Sequence, residues 1–476
     1  MGTDISKVKD NRLTIKTALM NTIANVISLI VGMIMIPIIS RVISPKELGI
    51  ASTFLSNRNI FVILATLAVY AFVHKAMLEF EDKKEDYIFS ITIFCIFMVS
   101  AVFLISIPFK AELQHILSLD GFLYYWLFIS TLGFALYSIG NYYCIFHNKS
   151  LIIFFIVLCT GPVSQFLSVG LAYIMPGKKY IGRVLGLDTT YIVVAIILVI
   201  WLVFTKHLHF RKIYILKTLK FTIPVIPHLL SQMVLTQCDL IMISYFIGSD
   251  KSGIYSMGHT VGFLAFTVMS QIMAAWSPWV YRRLEEKDIK SIYQNSKFMI
   301  LIGTYLTIGL MTISPELIKL FLTKEYLPCI YIVPPLVVSM YFQFVYLFFY
   351  DLEYYYKKPQ WIALASACAA IMNLVLNFIF IPRMGFLAAC YTTLGSYFVL
   401  LLINYMFTRR LYVEKVYSLK NICANCACVV LYMLLMFMLI DKMLLRYILL
   451  LSITVILLKL EYKKMFIMVK ELRDQL

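Results

Sequence analysis

Two charged residues, Arg58 and Asp239, lie deep inside long apolar segments of the chain. A charge at the centre of a bilayer costs at least ~2.5 kcal/mol when it faces lipid, so each residue must face a polar cavity or a partner. A guanidinium binds phosphate oxygens through a planar fork and stays charged when desolvated, so Arg58 is a candidate contact for an anionic ligand. A structural ion pair is the alternative. For Asp239 three roles stay open: pairing with Arg58, titration in ion coupling, and bonding to neighbouring helix backbone.

Four neutral polar side chains add hydrogen-bonding groups to similar apolar segments. Asn21 and Asn25 share one helix face by their i,i+4 spacing, and so do His228 and Gln232. We expect these four residues to line a cavity. Hydrogen bonding between helices is the alternative and the commoner role of such residues.

The sequence favours no metal or cofactor chemistry. Cys423 and Cys426 have the CxxC spacing of metal and redox sites, but there is no second pair and no nearby histidine. We therefore interpret them as small residues that pack helices, and we predict no metal site and no cofactor. The phosphate-binding pattern GxxxxGK[ST] does not occur either, so any energy source would be an ion gradient.

The composition indicates a membrane protein. Of 476 residues, 61% are hydrophobic and 14% are charged, and the mean hydropathy is +0.86. A soluble domain carries roughly 25% charged residues, because its surface faces water. A membrane β-barrel would alternate polar and apolar residues over about ten positions. Segments such as 191–204 are continuously apolar instead, so we predict an all-α integral membrane protein.

Apolar runs of about 20 residues place about fourteen transmembrane helices along the chain. The predicted spans are 14–40, 49–74, 87–109, 121–145, 150–175, 181–205, 219–247, 253–281, 294–321, 328–351, 360–382, 385–408, 419–440 and 443–460.

The basic residues predict the orientation of these helices. Most of the 42 lysines and arginines fall in segments that are cytoplasmic if the N-terminus is cytoplasmic, which places both termini inside. The loop with Lys178, Lys179 and Arg183 is the exception, and we take Asp188 nearby to be solvated. The net charge of +17 is thus mostly a topology signal, and we expect no nucleic-acid partner.

An internal repeat divides the chain. Residues 39–52 (ISRVISPKELGIAS) and 243–256 (ISYFIGSDKSGIYS) match at six positions with an offset of 204 residues. Gly182, Thr189 and Thr190 correspond to Gly385, Thr392 and Thr393 at an offset of 203. An even number of spans separates the matched segments, so we predict two parallel six-helix lobes, 1–206 and 207–412, related by a pseudo-two-fold axis along the membrane normal. Residues 413–476 add two helices and a cytoplasmic tail, and a site between such repeats is a known transporter arrangement.

Several segments resemble one family of membrane exporters. They are 221–227 (FTIPVIP), 239–243 (DLIMI), 253–256 (GIYS), 274–278 (AAWSP), 314–321 (SPELIKLF) and 373–385 (NLVLNFIFIPRMG). In order and spacing they are similar to Wzx-type polysaccharide flippases of the multidrug/oligosaccharidyl-lipid/polysaccharide (MOP) exporter superfamily.

The resemblance implies a protein of the bacterial cytoplasmic membrane. It would move undecaprenyl-pyrophosphate-linked repeat units of O-antigen or capsule to the outer leaflet by alternating access. Its partners would be the lipid-linked oligosaccharide, membrane lipid, a polysaccharide polymerase and other assembly proteins. We expect a monomer and no enzyme.

Two other functions stay open. A cation or drug antiporter of the MATE type would have the same fold, but it would favour several acidic cavity residues, and the sequence offers mainly Asp239. A membrane glycosyltransferase or polymerase is the less favoured alternative. It would need a sizeable external loop with carboxylates for acid–base or metal chemistry, and the outside loops here are short.

Overall fold

The computed structural model describes residues 2–80, 83–204, 209–411 and 416–455, with only the backbone for 2–16, 18 and 19. Long helices connected by short segments make up this part of the chain. Their bounds are α1 Gly2–Val42, α2 Pro45–Ala65, α3 Lys84–Ser106, α4 Gly121–Phe146, α5 Ser150–Ile174, α6 Lys179–Phe204, α7 Lys212–Phe246, α8 Ser249–Glu285, α9 Ile289–Phe321, α10 Val333–Tyr355, α11 Pro359–Met384, α12 Leu387–Thr408, α13 Leu419–Leu439 and α14 Met443–Val455.

The expected class, an all-α membrane protein, is confirmed. In the described ranges, 13 helices are long and apolar enough to cross a membrane, and these are α1 to α13. The last predicted span, 443–460, is described only as far as Val455, and its remainder lies outside the described residues. Hydrocarbon offers no partner for backbone N–H and C=O groups, so each apolar run closes its hydrogen bonds within itself as a helix.

The predicted end of the second span lies nine residues beyond the end of the helix. We expected the second span to run from 49 to 74, whereas α2 starts at Pro45 and ends at Ala65. Its start follows from a cap: the Ser44 hydroxyl accepts a hydrogen bond from the Glu47 amide, and proline is favoured in the first turn. Its end follows from left-handed backbone at Leu67 and Ala68, which no helix can continue through.

Packing divides the described chain into two compact units. The first comprises described residues within 1–257, 321–328 and 359–396, and the second those within 258–320, 329–358 and 397–476. A core of the first unit lies around Tyr87, Ile91 and Ile139, which are fully buried. In the second unit α10 forms the centre, with Phe344 and Phe348 fully buried. The lobe boundaries that we predicted near 206 and 412 lie at or beside residues outside the described part, and they stay a prediction.

The two copies of the repeated segment contact each other within the first unit. A Cβ atom on Gly49 would overlap the carbonyl of Ser249, and a Cβ atom on Gly253 would overlap the carbonyl of Pro45. At the offset of 204 these are the same contact made twice, as a two-fold axis requires. Ser52 and Ser256, also equivalent, share a hydrogen bond of 2.7 Å between their hydroxyl oxygens. The repeat found in the sequence therefore meets its own copy where α2 and α8 begin.

We expect Gly49→Leu to lower the thermal stability of the protein markedly, because its side chain would have to displace backbone of α8. Overpacking of this kind costs typically 1–3 kcal/mol. Gly32→Leu is the matched control, since no atom lies within 4 Å of a Cβ at Gly32. The folded fraction after heating in detergent, measured by size-exclusion chromatography, compares the two. Equal stability of both variants would contradict the close contact.

Candidate functional site

Arg58 of α2 is held in a polar and aromatic surrounding in the first unit. It is 6% exposed, and its Nη1 donates to the carboxylate of Asp188 on α6. The second carboxylate oxygen of Asp188 accepts a hydrogen bond of 3.0 Å from the Trp126 indole. The guanidinium carbon lies 5.1 Å from the ring centroid of Phe134 and 5.4 Å from that of Tyr191, within the range of cation–π attraction. The charge of Arg58 is thus balanced and its plane is flanked by rings.

One of the three roles left open for Asp239 is not seen here, and the expectation for Asp188 is wrong. Arg58 pairs with Asp188 and not with Asp239, and Asp188 is 1% exposed instead of solvated. The reason lies in how α6 packs: a Cβ at Gly186 would overlap the backbone of Ser168, so α5 and α6 approach closely along that stretch of α6. This packing buries Asp188 beside α2. The structural ion pair that we weighed against ligand contact is present.

The Arg58 guanidinium keeps unused donor capacity despite this pair. Its Nη2 donates to the Asn59 side-chain oxygen at 3.1 Å, and its Nε has no hydrogen-bond partner among the described residues. An arginine carries five N–H donors, so an anion has donors to bind. Such an anion would compete with Asp188 for the same charge.

Asp239 of α7 is surrounded by neutral donors from three other helices, at positions that belong to the first unit. Its carboxylate accepts from the Tyr255 hydroxyl at 2.5 Å, the Thr393 hydroxyl at 2.6 Å and the Asn377 amide at 2.7 Å. Asn373 donates to Thr393 at 3.2 Å and extends the network. Within the described ranges no lysine, arginine or histidine lies within ion-pair distance of Asp239. Three hydrogen bonds therefore stabilise this buried carboxylate in place of a counter-charge.

The Asp239 network is rich in hard oxygen atoms. Thr392 donates to the side-chain oxygen of Asn377, and Asn377 donates to that of Asn373 at 3.1 Å. Carboxylate, amide and hydroxyl oxygens suit a hard cation or a proton, not a soft transition metal. No group of three or more histidine, cysteine or acidic residues that could hold a metal occurs in the described part of the chain.

The sequence contained a signal for this network that we did not use. Asn373 and Asn377 lie one helical turn apart, and Thr392 and Thr393 belong to the second echo of the repeat. The asparagines contribute to the family resemblance, and the threonines contribute to the repeat. We did not expect either pair to meet Asp239, because a sequence does not reveal which helix faces turn toward one another.

The four neutral polar residues are placed differently. His228 is half-buried, and its Nδ1 lies 2.9 Å from the Ser366 hydroxyl on α11, which is the helix–helix hydrogen bond that we gave as the alternative. Gln232 and Asn21 are half-buried, and Asn25 is exposed. Cavity lining by Asn21, Asn25 and Gln232 stays a prediction.

A polar link joins the helices that carry the two charges. Ser56 of α2 donates a hydrogen bond of 2.9 Å to the side-chain oxygen of Gln237 on α7. Both residues lie two positions before a charge, Arg58 and Asp239. The two charges therefore lie on neighbouring helices of one unit, but they bond to different sets of partners.

Comparison with known proteins agrees with this fold. The family described as polysaccharide biosynthesis protein matches residues 14–284. The structure is similar to one of lipid II flippase MurJ in an inward closed conformation, with TM-score 0.69 and 14% identity over 93% of this chain and 99% of that one. It is also similar to an inward-facing multidrug resistance MATE family transporter of the MOP superfamily, with TM-score 0.65 and 11% identity over 80% and 94%. At such identities the likeness shows the fold alone, and the predicted MATE/MOP-like fold is confirmed. No curated protein matches the chain.

We expect Asp188→Asn to lower the free energy of unfolding by about 3 kcal/mol, because it leaves the Arg58 guanidinium buried without its counter-charge. The double variant Arg58→Met with Asp188→Leu should recover much of this loss. Denaturant titration in detergent micelles measures both. Glu79→Gln, which breaks the exposed pair with Lys217 at 3.2 Å, is the control and should cost less than 1 kcal/mol. A loss no larger than that of the control would contradict a buried pair.

Proposed function

The chain belongs to the polysaccharide biosynthesis protein family, and we propose that it is a Wzx-type flippase of undecaprenyl-pyrophosphate-linked oligosaccharide repeat units. The observation that carries this proposal is the family match over residues 14–284, on a chain with the fold of a lipid II flippase over 93% of its length. The protein is then a transporter and not an enzyme. It lies in the bacterial cytoplasmic membrane with both termini inside, and it supplies a polymerase on the outer side.

In this function Arg58 binds the pyrophosphate of the cargo. A phosphate oxygen takes the position of the Asp188 carboxylate on the guanidinium, and the rings of Phe134 and Tyr191 hold the plane of the guanidinium in place. When no cargo is bound, Asp188 balances the charge and lowers the cost of keeping an arginine inside the membrane. Arg58 then forms the ion pair when no cargo is bound and the ligand contact when cargo is bound.

Asp239 takes the role of the ion-coupling residue. The geometry that supports it is a buried carboxylate, 4% exposed, surrounded by hydroxyl and amide groups that can rotate or exchange their bonds to admit a proton or a hard cation. Entry of a positive charge removes the cost of holding a lone carboxylate in a medium of low dielectric constant. Cargo binding at Arg58 and ion binding at Asp239 would then bias the same unit through α2 and α7, which Ser56 and Gln237 join.

An antiporter of the MATE type is the second candidate function. One observation favours it: the buried Asp239 carboxyl has no basic partner in the described residues, and a site for a cationic substrate needs such a free acidic group. On this alternative Arg58 would stay paired with Asp188 throughout the cycle.

Deletion of the gene in its host tests the flippase. We expect loss of the surface polysaccharide together with accumulation of lipid-linked repeat units on the cytoplasmic leaflet. Plasmid-borne wild type should restore export, Arg58→Gln should not, and Gly32→Ala is the control. Normal polysaccharide in the deletion strain, in a host without a second flippase gene, would overturn the proposal. A change in drug susceptibility with normal polysaccharide would support the antiporter.

The role of Asp239 is tested in proteoliposomes. We expect Asp239→Asn to make transport insensitive to an imposed proton or sodium gradient, because the amide cannot take up a charge. Asp250→Asn, at an exposed position whose carboxylate lies 3.4 Å from Lys251, is the matched control and should keep the dependence. The measurement is the initial rate of translocation of a fluorescent lipid-linked sugar under each gradient. Gradient dependence in Asp239→Asn equal to that of the wild type would contradict ion coupling at Asp239.

A further inference from the structure

A cavity in the second unit is not explained by the proposed transport cycle. It has a volume of about 480 Å³ and lies where α10 and α12 end and α9 and α13 begin. Its wall includes Tyr293, Leu352, Tyr405, Arg409, Ser418 and Lys420. All of these residues belong to the second unit. The ends of four long apolar helices meet here, so the cavity lies at the level where a membrane-spanning bundle leaves the hydrocarbon.

The cavity is positively charged. Arg409 and Lys420 are exposed and line it, and no acidic residue is among the described residues of its wall. The ammonium group of Lys297 adds a third charge beside the wall, 4.0 Å from the centroid of the Tyr293 ring. Glu353 does not line the cavity: it is fully buried and accepts a hydrogen bond of 3.4 Å from the wall residue Thr408. An anion in the cavity would therefore meet basic groups first.

Polar groups of the wall add donors for the same anion. α13 is 21 residues long, and its first residues, Leu419 and Lys420, present backbone N–H groups at the helix end that favours negative charge. Tyr417 also lines the cavity and is nine-tenths buried.

The rest of the wall is apolar. Phe349, Leu352 and Val416 line it, together with the rings of Tyr293 and Tyr405. A free inorganic ion would use only the basic part. An amphiphile with a phosphate at one end and hydrocarbon at the other uses both, and tyrosine with basic side chains is the composition of a membrane interface.

We propose that this cavity binds the phosphate headgroup of an anionic membrane phospholipid. Arg409 and Lys420 contact the phosphate, the start of α13 donates backbone hydrogen bonds to it, and the acyl chains leave along the apolar wall. The bound lipid would join the ends of α9, α10, α12 and α13 within the second unit. The inference does not depend on the cargo, because none of its residues belongs to the Arg58 or Asp239 networks.

Lipid binding to the purified full-length protein tests the proposal. Short-chain phosphatidylglycerol, phosphatidylcholine and inorganic phosphate are titrated separately in detergent, and the affinity is read from the thermal shift and from lipid retained in native mass spectra. We expect phosphatidylglycerol to bind the wild type most tightly. Arg409→Gln with Lys420→Gln should weaken it about thirty-fold, which is the loss of about 1 kcal/mol for each of two basic residues at a membrane surface.

Arg282→Gln with Lys290→Gln is the matched control, because it removes two exposed charges of the same unit that do not line the cavity. The proposal is overturned if both double variants bind phosphatidylglycerol equally, if phosphatidylcholine binds the wild type as tightly, or if inorganic phosphate gives the same shift. If the cavity double variant does not fold, Lys420→Gln alone is measured. A several-fold weaker affinity supports the site, and an unchanged affinity overturns it.

Discussion

The absence of water from the hydrocarbon core is the constraint on which the structure depends. It makes each apolar run a helix, because backbone groups have no other partners there. It also decides how each buried charge is held. Arg58 is held by the opposite charge of Asp188 and by two aromatic rings, whereas Asp239 is held by three neutral donors. Among the charges of the first unit, these two networks thus form one neutral pair and one carboxylate without a counter-charge.

The sequence was sufficient to predict that charged residues lie inside apolar helices but not which residues they contact. An arginine inside an apolar run is visible by hydropathy alone, so Arg58 was found. Its partner was not, because Asp188 reaches it through close packing of α5 on α6 at Gly186, which hydropathy does not report. Hydropathy also predicted the helices, because each one is a long apolar run. The end of α2 was missed, because left-handed backbone at Leu67 and Ala68 is not expected for these residue types.

The two copies of the repeat share their helix packing but not their charged residues. Gly49 and Gly253 make equivalent contacts across a local two-fold axis. The charges do not follow this symmetry: at an offset of 204, Gly262 is equivalent to Arg58 and Met35 to Asp239. Close contact between α2 and α8 tolerates only small residues in both copies, so the duplication is still visible there. Elsewhere the copies differ, and one has a cationic group where the other has none.

The lone carboxylate of Asp239 has an electrical consequence. A pair without net charge, such as Arg58 with Asp188, gains no energy when it moves through an electric field as a unit. A single unit charge that crosses the whole membrane gains about 2.3 kcal/mol per 100 mV. Of these two networks, only the one around Asp239 has a net charge when its carboxylate is ionised, and the membrane potential would then act on it. In the proposed transport cycle a cation bound at Asp239 would neutralise the site, so a step that moves the empty, ionised carboxylate would depend on voltage and a step that moves the occupied one would not.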